Sequence, residues 1–312
     1  MNLPRFERIN VEISNVCNLK CSFCPSVERG KQVLTVTEFE RVLSEVAPYT
    51  KEVVLHLLGE PLGHPHFGQI LDLAYQYAVP VNVVTNGVLL TGDRPKLLKH
   101  PIVRQVSFSL HSFEANFPDR DPSVYVGRIK AFVQSALEER PDLYINLRLW
   151  DLSGVNAGDS PVNLRMREIL AFAFGFSWED VTVNLLRRKS WRIAGRLYLH
   201  FDSRFDWPDI SRSILQERGT CHALKGHIGI HADGTVVPCC LDHNAEMPLG
   251  NIFKQSLIEI LESPRATAMR DGFARGELVE DLCKRCGFIE RFARKAVVTK
   301  PVVKKFEAVR IP

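Results

Sequence analysis

The chain has 312 residues, 45% of them hydrophobic, and a net charge of +4. No run of eighteen apolar residues occurs, which argues against a membrane-spanning helix, and the N-terminal "MNLPRFERIN" lacks the apolar stretch of a secretory signal. A cytoplasmic protein with an ample core is expected, as one large domain or one large and one small. The charge is uneven: Lys284 to Pro312 holds nine Lys/Arg against Glu290 and Glu307, about +7, which leaves about −3 for the rest. Such a tail contacts nucleic acid or another anion, or is a solvated end; the solvated end is favoured.

"INVEIS" (Ile9 to Ser14) alternates apolar and polar residues as a strand does. Thr37-Glu38-Phe39-Glu40 reads as a capping box. It opens a helix with Phe39, Val42, Leu43 and Val46 on one face. The strand "EVVLHLLGE", a helix from Phe67 to Tyr77, and the strand "VPVNVVTNG" follow. A short helix near Pro95 to Leu98 precedes "VRQVSFSLHS", and a helix from Val124 to Leu137 precedes "LYINLRLW". A helix near Val162 to Phe174, stopped at Gly175, leads to "VTVNLL". These are six βα-type units, and such alternation predicts a parallel sheet built by right-handed crossovers.

After about residue 195 the pattern changes. "GRLYLHFDSRFDWPDI" reads as a strand and a turn-rich connection. "HIGIHADGTVVPCC" reads as a β-hairpin turning at Asp233-Gly234, and Ser256 to Ser263 as a short helix. The predicted domains are 1–195, 196–290 and a basic tail, 291–312.

Eight cysteines fall into two groups: Cys17, Cys21 and Cys24, then Cys221, Cys239, Cys240, Cys283 and Cys286. Without an export signal, clustered cysteines suggest metal before disulfide. A closed zinc site wants four ligands, and the first group has three. A four-iron cluster can be held by three thiolates, leaving one iron open. Polar signals also fall where parallel βα folds bind ligands, at strand C-termini: the cysteine loop, "GEP", "TNG", "SLHS" and Arg148.

The spacing Cys-x3-Cys-x2-Cys after a first strand, with Phe23 before Cys24, resembles the radical S-adenosylmethionine (SAM) superfamily, over roughly residues 8 to 190. The resemblance implies a partial (β/α)6 TIM-like barrel and a [4Fe–4S] cluster on Cys17, Cys21 and Cys24, with SAM at the open iron. It implies that Gly59 and Glu60 of "GEP" meet the methionine amino group, and that Thr85 and Ser109 meet the ribose or carboxylate. Arg148 would suit the cofactor carboxylate, by its guanidinium fork. One-electron reduction of SAM would give methionine and a 5′-deoxyadenosyl radical, which abstracts hydrogen from a substrate C–H bond.

Cys221-x17-Cys239 spans the predicted hairpin, and Cys283-x2-Cys286 is a metal knuckle. With Gly234-x4-Cys239, "VPCCLD" and "LGNI", this resembles the twitch/SPASM-like auxiliary domain, a β-hairpin plus helix. It implies a second [4Fe–4S] cluster on Cys221, Cys239, Cys283 and Cys286, with Cys239 preferred over Cys240. Structural zinc is the alternative. The expected activity is oxidoreductase-like: oxidation or rearrangement of a small molecule, with a reductant such as flavodoxin or ferredoxin. A peptide-modifying maturase is the alternative, and a non-catalytic iron–sulfur electron carrier is a reading from a different class.

Overall fold

A computed structural model describes residues 5–151, 164–181, 189–203 and 205–289. In chain order the strands and helices are β1 (Arg8–Val11), α1 (Val36–Val46), β2 (Val53–Leu55), α2 (Phe67–Gln76), β3 (Val81–Thr85), α3 (Arg94–Leu97), β4 (Val103–Ser109), α4 (His111–Asn116), α5 (Ser123–Glu139), β5 (Tyr144–Asp151), α6 (Leu164–Phe174), β6 (Ser190–Ala194), β7 (Leu197–Ser203), β8 (His227–Ile230), β9 (Thr235–Val237), β10 (Gly250–Asn251), α7 (Leu257–Leu261), α8 (Pro264–Arg275) and α9 (Asp281–Lys284). The chain divides into two compact units. Of the described residues, 5–18, 25–82 and 205–289 lie in the first, and 19–24 with those from 83 to 203 in the second.

In the first unit, β1 pairs in parallel with β2 on one side and β8 on the other. β8, β9 and β10 continue as antiparallel neighbours. Both faces of β1 and β2 are buried, as in parallel sheets: Ile9, Val11, Val53 and Leu55 on one face are fully enclosed, and Asn10 and Val54 on the other are buried too. Helix α1 buries the predicted stripe Phe39, Val42, Leu43 and Val46. Its capping box lies two residues earlier than expected. Thr35 is the N-cap: its hydroxyl accepts from the Glu38 N–H, and the Glu38 carboxylate accepts from the Thr35 N–H. Thr37 falls inside the first turn, where its hydroxyl has no orphan amide to cap. The Asp233-Gly234 hairpin is present, with Gly234 at φ +80° and the His231 and Thr235 backbones bonded across it.

In the second unit, β4 pairs in parallel with β5, and β5 with β7. The odd partners of β5 and β7, Ile145, Leu147, Leu149, Leu197, Leu199 and Phe201, form a core with Ile129, Phe132 and Val133 of α5. The even positions put Asn146, Arg148 and Trp150 on the other face, beside Ser107, Ser109, His200 and Asp202. Two features depart from expectation. The parallel partner of β5 is β7, from "LYLHFDS", a stretch assigned by its sequence to the region after the sixth unit. "VTVNLL" lies outside the described residues after Val181. β6 and β7 form an antiparallel hairpin through Gly195, at φ +47°. Helices α4 and α8 were not anticipated.

Candidate iron–sulfur and cofactor site

The cysteine loop grows out of β1 in the first unit, and its neck is closed by backbone and one side chain. Ser14 bridges Val33 antiparallel. The Asn15 amide donates to the Gly30 carbonyl and accepts from the Gln32 N–H, each at 2.8 Å. The "GEP" segment seals the same neck. The Glu60 N–H donates to the Val16 carbonyl at 3.0 Å. Gly59, at φ +74°, lies so close to Ser14 that a Cβ would stand 2.0 Å from its carbonyl oxygen. The predicted contacts Gly59 and Glu60 are therefore built against the residues that lead into Cys17. Glu60 is 2% exposed, and its carboxylate accepts from the Leu62 N–H at 3.0 Å. Just ahead, buried Leu57 holds φ +118°, a strained geometry of the kind that gathers at functional sites.

Glu12, at the exit of β1, anchors this neck to the hairpin region of the same unit. Its fully buried carboxylate takes a bidentate ion pair from Arg29 at 2.8 and 3.0 Å and accepts from the Ala232 N–H. Arg29 also donates to the His243 carbonyl at 2.8 Å. Nearby His231 is fully buried. Burial holds its pKa down to about 4.

The rest of the loop, residues 19–24, belongs to the second unit. There it seats on α4, which presents Ser112 and Asn116, one turn apart, to Cys21. The Asn116 amide nitrogen donates to the Cys21 sulfur at 3.1 Å, and its oxygen accepts from the Lys20 N–H at 2.8 Å. The Cys21 thiol is held at about 6, first by its hydrogen bond with Cys24 and then, against partial burial, by those from Asn116 and Ser112. Phe23 packs on the buried His111 ring at 5.1 Å, which stacks on Trp150 at 4.6 Å and 8°. Arg148 lies over Trp150 at 5.3 Å, and its carbonyl accepts from the Leu110 N–H. Burial, and then Arg148, lowers the His111 pKa to about 3, so its ring is neutral. Phe23, Ser109 and Arg148 are thus gathered at the ends of β4 and β5. Thr85 is buried at the end of β3, its hydroxyl accepting from the Gly87 N–H at 3.0 Å. The sequence reading missed Asn116, Ser112 and Trp150. The spacing Ser112-x3-Asn116 after a strand-end "SLHS" was the available signal.

The second cysteine group lies within the first unit, and among the described residues no three Cys, His, Asp or Glu side chains stand in an arrangement that could already hold a metal ion. Cys239 is pushed up by burial and then by Cys240, Cys221, Cys283 and Cys286. Cys283 is raised by burial, then by Cys221 and Cys286. Cys286 is pushed up to about 11 by burial, with smaller effects from Cys221 and Cys240. The four expected ligands therefore lie within electrostatic reach of one another. Buried Asp242 shapes the turn beyond them, accepting from the Glu246 and Met247 N–H groups and placing Met247 sulfur 3.7 Å from Cys283. Buried thiols that resist ionisation together suit a cationic cluster, whose charge reverses that preference. No disulfide joins any of the eight cysteines.

Residues 11–152 match the Radical SAM superfamily and residues 221–287 match SPASM, an iron-sulfur cluster-binding domain. The chain belongs to the radical SAM superfamily. The matched regions are those that hold a SAM-binding [4Fe–4S] cluster and, in the SPASM region, an auxiliary cluster. It is 30% identical over 193 residues to the PqqA peptide cyclase of Rhodopseudomonas palustris, covering 61% of this chain and 49% of that one. It is 25% identical over 280 residues to the subtilosin biosynthesis protein AlbA of Bacillus subtilis, covering 81% and 59%. The chain thus spans about half the length of these curated relatives. Among solved structures, BtrN in complex with AdoMet and 2-DOIA is similar at TM-score 0.54 and 18% identity, over 90% of this chain and 93% of that one. SuiB of Streptococcus suis bound to precursor peptide SuiA is similar at TM-score 0.56 and 15% identity, over 91% and 72%. These likenesses show the radical SAM fold, a partial (β/α)6 barrel with a C-terminal SPASM region. No described helix is long and apolar enough to cross a membrane.

Proposed function

We propose that this radical SAM enzyme removes hydrogen from a C–H bond of a peptide substrate. The observation that carries the peptide reading is sequence likeness over 81% of the chain to AlbA, a bacteriocin biosynthesis protein. A peptide cyclase relative supports it. The expected small-molecule oxidation becomes the second reading, supported by the match to BtrN along nearly all of both chains.

When bound, the clusters supply one-electron cleavage of SAM to methionine and a hydrogen-abstracting 5′-deoxyadenosyl radical, and a second site for electron transfer. Cys17, Cys21 and Cys24 hold the first cluster, and Asn15, Gly59 and Glu60 keep the neck of their loop in register. Gly59 and Glu60 bind the methionine amino group, Arg148 its carboxylate, and Thr85 and Ser109 the ribose side. Phe23, His111 and Trp150 wall this region with flat apolar surface, which excludes water from a radical. Cys221, Cys239, Cys283 and Cys286 hold the auxiliary cluster. Cys239 is preferred over Cys240 because it completes the Gly234-x4-Cys239 spacing. A flavodoxin or ferredoxin supplies the electron.

The test is anaerobic turnover of reconstituted, reduced enzyme with SAM and a deuterated cell extract split into peptide and small-molecule fractions. Appearance of 5′-deoxyadenosine supports the radical reading, and none above background refutes it. Deuterium entering 5′-deoxyadenosine from the peptide fraction supports the peptide reading. Transfer from the small-molecule fraction alone replaces it with the second.

A further inference from the structure

We propose that Asn116 is a positioning residue that holds the Cys21 sulfur and raises the reduction potential of the first cluster by donating a hydrogen bond to it. This rests on Cys21 being a ligand of that cluster, as assigned above.

The orientation of the Asn116 amide follows from its partners. An amide oxygen and nitrogen look alike by shape, and only the network distinguishes them. The Lys20 backbone N–H, 2.8 Å away, can only donate, so the atom facing it must be the carbonyl oxygen. The NH2 group is then fixed on the other side. One proton is directed to the Ser112 carbonyl at 2.9 Å and the other to the Cys21 sulfur at 3.1 Å. Every polar atom of the side chain is engaged, so it cannot turn its acceptor toward the sulfur without leaving the Lys20 N–H and the Ser112 carbonyl mismatched. The backbone of α4 supports it, because Ser112, whose carbonyl accepts from the Asn116 amide, and Asn116 are one turn apart. The site is therefore arranged for a sulfur that accepts, as a metal-bound thiolate does.

A donor aimed at a cluster sulfur stabilises the reduced, more negative cluster more than the oxidised one. Without it, reduction becomes harder. For a single charge-assisted contact we expect the reduction equilibrium to fall about tenfold, which is about 59 mV for one electron.

The experiment is an anaerobic redox titration of the reconstituted holoenzyme followed by electron paramagnetic resonance. The first cluster is recognised as the one whose signal changes when SAM is added. Three variants separate tuning from structure. Asn116→Leu keeps the volume and removes both donor and acceptor. Asn116→Asp keeps the shape and the acceptor for the Lys20 N–H, and replaces the donor with a negative oxygen. Asn116→Gln keeps the amide. The Leu variant should shift to more negative potential, the Asp variant further, and the Gln variant should stay nearer the wild type. Wild-type potentials in both Leu and Asp variants overturn the proposal while leaving the radical SAM reading intact. So does failure of both to assemble the first cluster while Gln assembles it, since Asn116 is then only an anchor for the loop. A holoenzyme with no SAM-responsive signal overturns the ligand assignment and this proposal with it, and the wild type alone reveals that.

Discussion

Replacing Gly59 with alanine tests whether the "GEP" segment holds the cysteine loop. The added Cβ would stand 2.0 Å from the Ser14 carbonyl oxygen, where contacts below 3.0 Å essentially never occur, so the two backbones must part by at least 1.0 Å (3.0 minus 2.0). Ser14 cannot retreat freely: it is bridged to Val33, and its hydroxyl accepts from the Val16 N–H. Alanine also pays about 1–2 kcal/mol for the left-handed conformation at φ +74°. Separation loosens the hydrogen bond from Glu60 N–H to Val16 O, and an unmet buried group costs about 1–3 kcal/mol. The sum is roughly 2–5 kcal/mol. For a chain of this size that lowers the melting temperature by roughly 4–10 °C. Because the displaced carbonyl lies three residues before Cys17, the first cluster should be lost as well. Iron should fall from about eight to about four per reconstituted chain. Thermal denaturation under nitrogen and iron analysis read the two effects. An unchanged melting temperature with full iron refutes the claim that Gly59 locks the loop.

Cys283→Ala with Cys286→Ala should also remove about four irons but spare the SAM-responsive signal; zinc in the second group of the wild type would refute the auxiliary cluster. Glu12→Gln, which leaves Arg29 largely buried and uncompensated, should cost about 3–5 kcal/mol, and adding Arg29→Met should recover most of it; simply additive losses in denaturant melts would show that the pair is not coupled. Burial lowers the His231 pKa to about 4, so folding favours the neutral ring: this stability is complete above the ordinary pKa of 6.5 and is lost as pH falls toward 4, by at most about 3 kcal/mol. His231→Leu should therefore lose less melting temperature than wild type between about pH 7 and pH 5, and equal slopes would dismiss His231 as the source.

Cysteine spacing was the most legible part of the chain because ligand geometry constrains neighbours in sequence. Helix α1 and the Asp233-Gly234 hairpin were legible for a related reason: a 3.6-residue stripe and a turn dipeptide are local signals. The capping box was misplaced because Thr35 and Thr37 both precede an acidic residue three positions on, and the strand-to-helix junction decides between them. The hairpin of β6 and β7 was hidden by its irregular register between Arg192 and Ala194. Asn116 was invisible for a deeper reason. It lies 95 residues from Cys21, in a six-residue helix with too short a period to announce itself, and an asparagine gains meaning there only through what the fold sets opposite it.

The two cysteine groups ask opposite things of the folded chain. Cys17 and Cys24 are exposed, and Cys21 is served by side-chain donors, so the first group can hold a thiolate before any metal arrives. In the second, Cys283 and Cys286 are buried, and each thiol is pushed toward its protonated form by burial and by the others. Ionising four such thiols together is unfavourable until iron compensates the charge, so binding of the auxiliary cluster and consolidation of residues 221–287 are thermodynamically linked. The first cluster carries no comparable debt, since its loop is already closed by Asn15 and Gly59 and seated on α4. Loss of the auxiliary cluster should therefore loosen the fold around it, whereas loss of the first should leave its loop standing and chiefly remove chemistry. On the proposed ligand assignment that asymmetry suits a division of labour: the cluster proposed to admit a cofactor would sit on an accessible loop, and the one proposed to pass electrons would be enclosed by the structure it helps to hold.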